Sequence, residues 1–204
     1  MKKIILLLLA ICSASQFFAQ EITGTQLLDK AIQFHDPNDN WKTFTGSLFV
    51  TMETPNKPKR TSEIRIDLPN QSFYVKASQG DKTTVYSVTK DVCNIQLNGK
   101  TPTEEEKTSN NLSCDRASMY QNYYTYLYGL PMKLKDAGTI IDENVILKEF
   151  NGKNYLVLKV TYEKEVGKDT WYFYFDPTTF AMEVYQFYHE EDKNDGEFIL
   201  LSGL

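Results

Sequence analysis

The feature that most constrains the fold of this chain is a succession of short segments in which apolar and polar residues alternate. Residues 64–68 place isoleucine or leucine at every second position with charged residues between them, and residues 73–77 alternate in a similar way. Such alternation is typical of a β-strand with one buried face. Short polar turns separate the segments, so the pattern predicts a mainly antiparallel β-structure.

Two segments with helical periodicity interrupt the predicted strands. Residues 25–35 predict an amphipathic helix, and residues 114–130 predict a tyrosine-rich helix that stops at Gly129 and Pro131. Residues 100–111 are polar and charged, and they predict a mobile loop or a short helical start. The strands are expected at residues 44–52, 64–68, 73–77, 83–89, 92–97, 145–150, 155–162, 169–176, 180–189 and 197–204. The expected fold class is therefore α+β, with about ten antiparallel strands and one or two helices in a single domain.

Turn signals and the last strand complete this picture. Asn98-Gly99 and Asn151-Gly152 are strong signals for two-residue hairpin turns. The final segment, residues 197–204, is apolar and predicts a buried strand that stops at the end of the sequence. Two interpretations stay open: this strand docks tightly, or the domain lacks its last strands.

The first twenty residues have the pattern of a secretory signal peptide. Two lysines precede the apolar run of residues 4–11, which is too short to span a bilayer. Cleavage is expected after Ala19 or Gln20, which leaves a single domain at residues 21–204. A lipid-modified start at Cys12 is the less favoured alternative, because no small residue precedes that cysteine. The product is expected to be exported, and to be periplasmic or peripherally associated with the outer membrane.

Charge and cysteine content narrow the function classes. The formal net charge is −5 and the sequence contains no basic patch, which argues against nucleic-acid binding. No later segment predicts a membrane helix. Cys93 and Cys114 remain after the expected cleavage, and one pair in an oxidising compartment indicates a disulfide. Two unpaired buried thiols are the alternative. A bridge would close a loop of about twenty residues and stabilise the fold by roughly 3 kcal/mol.

No sequence motif indicates catalysis, a metal or a cofactor. His35 and His189 are the only histidines, and His35 is expected to be a helix-end residue. His189 precedes an acidic run that could bind a hard cation, but Asp195 stands where a calcium loop requires glycine. The residues of a Ser-His-Asp site need not be close in sequence. We nevertheless expect no catalytic residue, no metal site and no cofactor.

Aromatic residues provide the one signal that points to a function. Residues 171–175 are five consecutive aromatics, so both faces of the predicted strand carry rings. One interpretation is a sandwich core with tyrosines at its edges. The other is a curved sheet around a helix, enclosing an apolar ligand cavity. In that case the expected ligand-binding residues are Phe49, Met52, Tyr74, Tyr86, Tyr124, Trp171, Phe173 and Tyr185.

The chain also resembles a known superfamily. The order of signal peptide, helix, a strand led by Trp41, further strands, central helix and more strands is similar to that of the LolA/LolB-like lipoprotein-localisation superfamily. A related family of uncharacterised exported proteins from Gram-negative bacteria is closer still. The segments that carry this resemblance are residues 123–134, Gly138-Thr139, 187–190 and 193–197. The resemblance implies a half-open β-barrel wrapped over helices, which holds acyl chains in its concave face.

Three functions are therefore considered, in order of preference. The first is a non-catalytic periplasmic binding protein or carrier for a lipid, a lipoprotein acyl chain or a similar hydrophobic ligand. The second is an envelope protein-interaction module whose aromatic face docks a partner. The third is a hydrolase that uses His189 with a nearby carboxylate. The expected partner is a hydrophobic small molecule, a lipid or a lipoprotein, and the protein is expected to be a monomer.

Overall fold

The described residues form two antiparallel sheets and three α-helices. The structure is a computed structural model, and it describes residues 22–90 and 92–203. The segment predicted as a signal peptide, residues 1–20, lies outside the described residues. Among the helices that are described, none combines the length and the apolar character needed to cross a membrane.

The first sheet is a five-stranded meander in chain order. Its backbone register aligns Leu48, Ile64, Val75, Tyr86 and Ile95 in one row across all five strands, so this row faces the core. The prediction of β-strands with one buried face is thus confirmed for this sheet. The strands are β1 (Thr45–Met52), β2 (Arg60–Asp67), β3 (Ser72–Gln79), β4 (Lys82–Thr89) and β5 (Val92–Leu97).

The second sheet has six strands in the order β11-β10-β9-β8-β6, and β7 also pairs with β8. The long strand β8 pairs with β7 through its first half and with β6 through its end. Neither sheet closes into a barrel. The strands are β6 (Thr139–Ile141), β7 (Ile146–Phe150), β8 (Lys153–Tyr162), β9 (Thr170–Phe175), β10 (Met182–Tyr188) and β11 (Glu197–Leu200).

The helices have sequence-encoded starts. Thr23 caps α1 (Gly24–His35), and its hydroxyl accepts the backbone N–H of Gln26 while the Gln26 side chain accepts the N–H of Thr23. A second capping box at Thr103 starts α2 (Glu104–Asn110). The helix α3 covers Cys114–Tyr128, as the tyrosine-rich segment predicted. Of the two alternatives for residues 100–111, the helical one is confirmed, because the capping box starts a short helix there. The described residues therefore contain three helices, one more than the one or two expected.

The helices cover the sheets and separate two hydrophobic cores. Leu27, Leu28 and Ala31 of α1 are buried against the second sheet. Ala117 and Tyr124 of α3 are buried against the first sheet. The opposite side of α3 contributes to the core of the second sheet. The helix α3 therefore lies between the two sheets and packs against both.

A disulfide joins Cys93 of β5 to Cys114, the first residue of α3, with the Cα atoms 5.9 Å apart. The predicted pairing is confirmed. The bridge fixes the start of α3 to an edge strand of the first sheet, so it sets where the helix crosses the sheet.

Two local predictions are wrong. Asn98 and Gly99 adopt the positive φ values of a tight turn, but Leu97 forms only a single bridge with Lys100 and no strand follows. The turn instead leads to α2. The strand predicted to be buried at the C-terminus is an exposed edge strand, since Leu200 is 63% exposed. It pairs with β10 on one side only.

The aromatic run of β9 is buried on both faces. Phe173 and Phe175 point into the core beneath α1, whereas Tyr174 lies on the opposite face with Val157 and Val184. The second sheet therefore has a second, smaller core on its other side. This arrangement explains why both faces of one strand carry rings.

Candidate functional site

Four of the eight residues predicted to line a ligand cavity lie in the two larger hydrophobic cores. Tyr86 and Tyr124 belong to the core of the first sheet, and both are almost completely buried. Phe173 and Tyr185 belong to the core of the second sheet, with ring centroids 6.4 Å apart. Neighbouring side chains pack against these rings, so each contributes to stability whether or not a ligand is present.

The other four predicted residues lie at separate places. Phe49 is 81% exposed on the outer face of the first sheet. Tyr74 lies on the same outer face, under the guanidinium group of Arg65 at 4.8 Å. Met52 lines a groove at the end of the first sheet. Trp171 lines a groove beside the second sheet. The fold thus does not bring the eight residues together into one site.

The groove beside Trp171 is a mainly apolar surface depression with a volume of about 300 Å³. Three aromatic side chains from different elements wall it: Tyr126 from α3, Tyr162 from β8 and Trp171 from β9. Tyr126 contacts Trp171 edge to face, with the centroids 5.3 Å apart. We call it the tyrosine–tryptophan groove, and its remaining lining residues are Asn122, Val166, Gly167, Lys168 and Asp169.

The two tyrosines of this groove bond to each other through their hydroxyl groups. Burial raises the pKa of Tyr162 to about 12 and raises the pKa of Tyr126 well above its ordinary value. Both phenols therefore stay neutral at every physiological pH. One hydroxyl donates to the other in this hydrogen bond, and the surface of the groove is mainly apolar.

One lip of the groove is built by the loop between β8 and β9, and a glycine makes its path possible. Gly138 has a φ of +81°, and a Cβ atom there would lie 2.5 Å from Cγ2 of Val166. The carbonyl of Gly138 accepts the N–H of Glu163 at 2.8 Å. A side chain at position 138 would displace the loop that holds Val166, which is 56% exposed at the lip.

A hydrogen bond between a histidine and a carboxylate lies at one end of the groove. Nδ1 of His189 is 2.9 Å from Oδ1 of Asp169, and this hydrogen bond raises the pKa of His189. His189 was the residue considered for hydrolysis. In the described part of the chain its ring bonds to Asp169, and no serine, threonine or cysteine side chain bonds to it. The pair therefore lacks the nucleophile that a Ser-His-Asp arrangement requires.

A second apolar groove, of about 310 Å³, lies where α1, β1 and the end of α3 meet. Trp41 and Phe44 stack in it at 5.3 Å, and Tyr128 and Met132 form the opposite wall. Gly129 allows the close approach, since a Cβ atom there would lie 2.3 Å from Trp41. We call this the Trp41 groove. The two tryptophans of the chain thus lie in two different grooves.

Sequence reasoning missed most residues of the tyrosine–tryptophan groove. Trp171 was predicted, but Tyr126, Tyr162 and Val166 were not. The available signal was that the tyrosines of α3 occupy two sides of the helix. Tyr124 faces the first sheet and Tyr126 the second. Within residues 22–90 and 92–203, histidine, cysteine and acidic side chains form no group of three that could hold a metal ion.

The fold and its grooves define an α+β protein of mainly antiparallel sheets, with one disulfide among the residues that the structure describes. A family described as "Family of unknown function (DUF6503)" matches residues 2–201, and the chain belongs to this family. Comparison with curated proteins gave no match, and comparison with solved structures gave none either.

Proposed function

We propose that the protein is a non-catalytic binding protein or carrier for a lipid, a lipoprotein acyl chain or a similar hydrophobic ligand. It acts after export, in the periplasm or at the outer membrane, and the ligand lies in the tyrosine–tryptophan groove. The observation that carries this proposal is the wall of Tyr126, Tyr162 and Trp171, whose two hydroxyl groups are paired with each other.

The dimensions of the groove favour reversible binding. A volume of about 300 Å³ lies at the lower end of the range for ligand sites. Each buried methylene group contributes about 0.8 kcal/mol, so a contact with six of them supplies roughly 5 kcal/mol before the cost of association. Such a site holds part of an acyl chain weakly, which suits a carrier that must release its cargo.

The resemblance to the LolA/LolB-like superfamily is consistent with this function. We propose that the two sheets represent parts of an incomplete β-barrel wrapped over α3. In support, α3 packs against both sheets, with Tyr124 on one side and Tyr126 on the other. In this arrangement the groove lies where the helix and the second sheet meet.

A protein-interaction module is the second candidate, and a specific observation favours it. Two strands at the edges of the second sheet, β7 and β11, expose apolar side chains: Ile146, Leu147, Phe198 and Leu200 are 43–65% exposed. Exposed apolar edge strands can pair with another chain. We do not propose a hydrolase, because no nucleophile bonds to His189 in the described residues.

Native mass spectrometry tests the carrier proposal directly. Protein purified without detergent from the cells that produce it is expected to carry an adduct with the mass of a lipid. Val166→Trp, which fills the groove lip, should abolish the adduct. Val92→Trp is the matched control, since Val92 is 64% exposed on β5 of the other sheet. A clean apo mass, together with no uptake of a fluorescent fatty acid, would contradict the proposal.

Pull-down of a stoichiometric protein without lipid would favour the interaction module.

A further inference from the structure

The end of the first sheet carries a groove with a very different character. Its volume is about 330 Å³, and four basic side chains line it: Lys57, Arg60, Lys82 and Arg116. No acidic residue is among its lining residues. The sequence showed no basic patch, because these cations come from four separate segments. We call this depression the arginine groove.

Both arginines lie against one ring. The guanidinium carbon of Arg60 is 5.3 Å from the centroid of Tyr120, and that of Arg116 is 5.5 Å from it. Among the described residues, neither guanidinium group forms an ion pair with a carboxylate. Arg65, on the outer face of the same sheet, contrasts with them because it pairs with Glu63 at 2.6 Å.

Arginine is rare in this chain, and its position in the groove is informative about the ligand. The chain has 22 lysines and arginines, and only Arg60, Arg65 and Arg116 are arginines. Two of the three therefore line a single groove in a protein that otherwise uses lysine for positive charge. Arginine differs from lysine in presenting a planar fork of donors, which matches the oxygens of phosphate and carboxylate groups.

The partners that the fold gives these two arginines are uncharged: each guanidinium group lies against the Tyr120 ring, and Arg116 also donates to the Tyr120 hydroxyl at 3.4 Å. Like charges repel each other, and no acidic residue lines the groove to offset the repulsion. Arg116 also lies in the first turn of α3, where the helix dipole disfavours a cation. An anion bound in the groove would offset both the repulsion between the basic groups and the unfavourable interaction of Arg116 with the helix dipole.

We propose that the arginine groove binds a phosphoryl group through Arg60 and Arg116. A phosphate monoester carries a charge of about −1.5 to −2 at pH 7, which the two guanidinium groups and the two lysines complement better than they would a single carboxylate. Met52 and Tyr120 add an apolar wall that can contact whatever carries the phosphate. The proposal does not rest on the carrier function, since the arginine groove and the tyrosine–tryptophan groove share no lining residue.

Calorimetry on the intact protein tests whether the arginine groove binds a phosphoryl group. The titrations use 0.15 M salt to suppress weak surface binding. The probes are inorganic phosphate, dihexanoyl phosphatidic acid as a lipid-borne phosphate monoester, dihexanoyl phosphatidylcholine and hexanoate. Arg60→Gln and Arg116→Gln should each weaken phosphate or phosphatidic acid binding at least about tenfold. Arg65→Gln removes the same charge outside the groove, and it should change binding less than about twofold.

The outcomes separate the sources of the phosphoryl group. Arginine-dependent binding of inorganic phosphate supports a soluble phosphate ligand, and binding of phosphatidic acid alone supports a lipid headgroup. If a glutamine variant fails to fold, Arg60→Lys and Arg116→Lys replace it in the test. These variants keep the positive charge but lose the planar fork of guanidinium donors. The proposal is overturned if neither phosphate probe binds, if Arg65→Gln weakens binding equally, or if hexanoate or phosphatidylcholine binds as tightly.

Discussion

The rings of Phe150 and Phe198 stack with their centroids 4.8 Å apart, although the two residues belong to strands at opposite edges of the second sheet. Both rings also contact Tyr174 on the central strand β9, at 5.7 and 6.2 Å. The sheet is therefore coiled so strongly that its edges approach each other across one face. Side chains of the protein itself fill the space between the edges.

This contact should stabilise the second sheet. Phe198→Ala removes a half-exposed ring that contacts two others, so we expect it to lower the free energy of unfolding by about 2 kcal/mol. Leu200→Ala, at a more exposed position on the same strand, should cost about 0.5 kcal/mol or less. Urea unfolding of the two variants measures the difference. Equal losses in the free energy of unfolding would show that contact between the edges does not stabilise the sheet.

The disulfide between Cys93 and Cys114 closes a loop across 21 positions of the sequence. Its removal in the double variant Cys93→Ala/Cys114→Ala should lower the free energy of unfolding by about 3 kcal/mol, because the unfolded chain gains conformational entropy. Urea unfolding with and without reductant checks this. The reductant should destabilise the wild-type protein and leave the double variant unchanged; a reductant effect of equal size on both would contradict the assignment.

The first sheet was predictable from the sequence because its determinants are local. Alternation fixes which face of each strand is buried, and short turns such as Gly80-Asp81 force neighbouring strands to pair. The disulfide was predictable for a similar reason: with two cysteines after the expected cleavage, only one pairing exists. The helix α2 was harder to predict, since a polar segment with a capping box resembles a loop until the cap forms.

The grooves were not predictable because they depend on contacts between distant segments. Arg60 and Arg116 meet at one tyrosine only after the meander forms and α3 crosses it. Tyr124 and Tyr126 are nearly adjacent in sequence, and only the packing of α3 between two sheets assigns one to a core and the other to a groove. Aromatic content indicates that rings are present, but it does not decide which rings neighbouring side chains cover.

His35 makes stability depend on pH. Its Nε2 accepts the backbone N–H of Met182 at 2.9 Å, and burial lowers its pKa below the ordinary value of 6.5. The unfolded chain therefore binds the proton more readily than the folded protein. The stabilisation is present above pH 6.5 and is lost as the pH falls toward the folded pKa. We expect His35→Gln to make the decrease in stability between pH 7.5 and 5 shallower.

His189 provides a control of opposite sign. Asp169 raises its pKa above 6.5, so its contribution is complete below that pH and is lost as the pH rises through the folded pKa. His189→Gln should therefore make the decrease in stability between pH 7.5 and 5 steeper rather than shallower. Urea unfolding at a series of pH values measures both slopes. Slopes that change in the same direction in the two variants would contradict the two assigned environments.

The paired hydroxyl groups of Tyr126 and Tyr162 should be energetically coupled. Either Tyr→Phe change leaves the other hydroxyl without its partner in a mostly buried position, which costs about 1–2 kcal/mol. The double variant should cost less than the sum of the single variants. Tyr128→Phe, at an exposed position of the same helix, should be nearly neutral. Strict additivity in this double-mutant cycle would show that the two hydroxyl groups do not bond.

The placement of the chain's two tryptophans allows the most direct test of the carrier proposal. Trp41→Phe leaves Trp171 as the only tryptophan, in the tyrosine–tryptophan groove, and Trp171→Phe leaves Trp41 in the other groove. Bromine quenches tryptophan fluorescence only at close range, so a dibrominated fatty acid reports which groove it occupies. We expect saturable quenching in Trp41→Phe, little quenching in Trp171→Phe, and none with the unbrominated acid. Absence of quenching in both variants, or quenching confined to Trp41, would contradict the proposal.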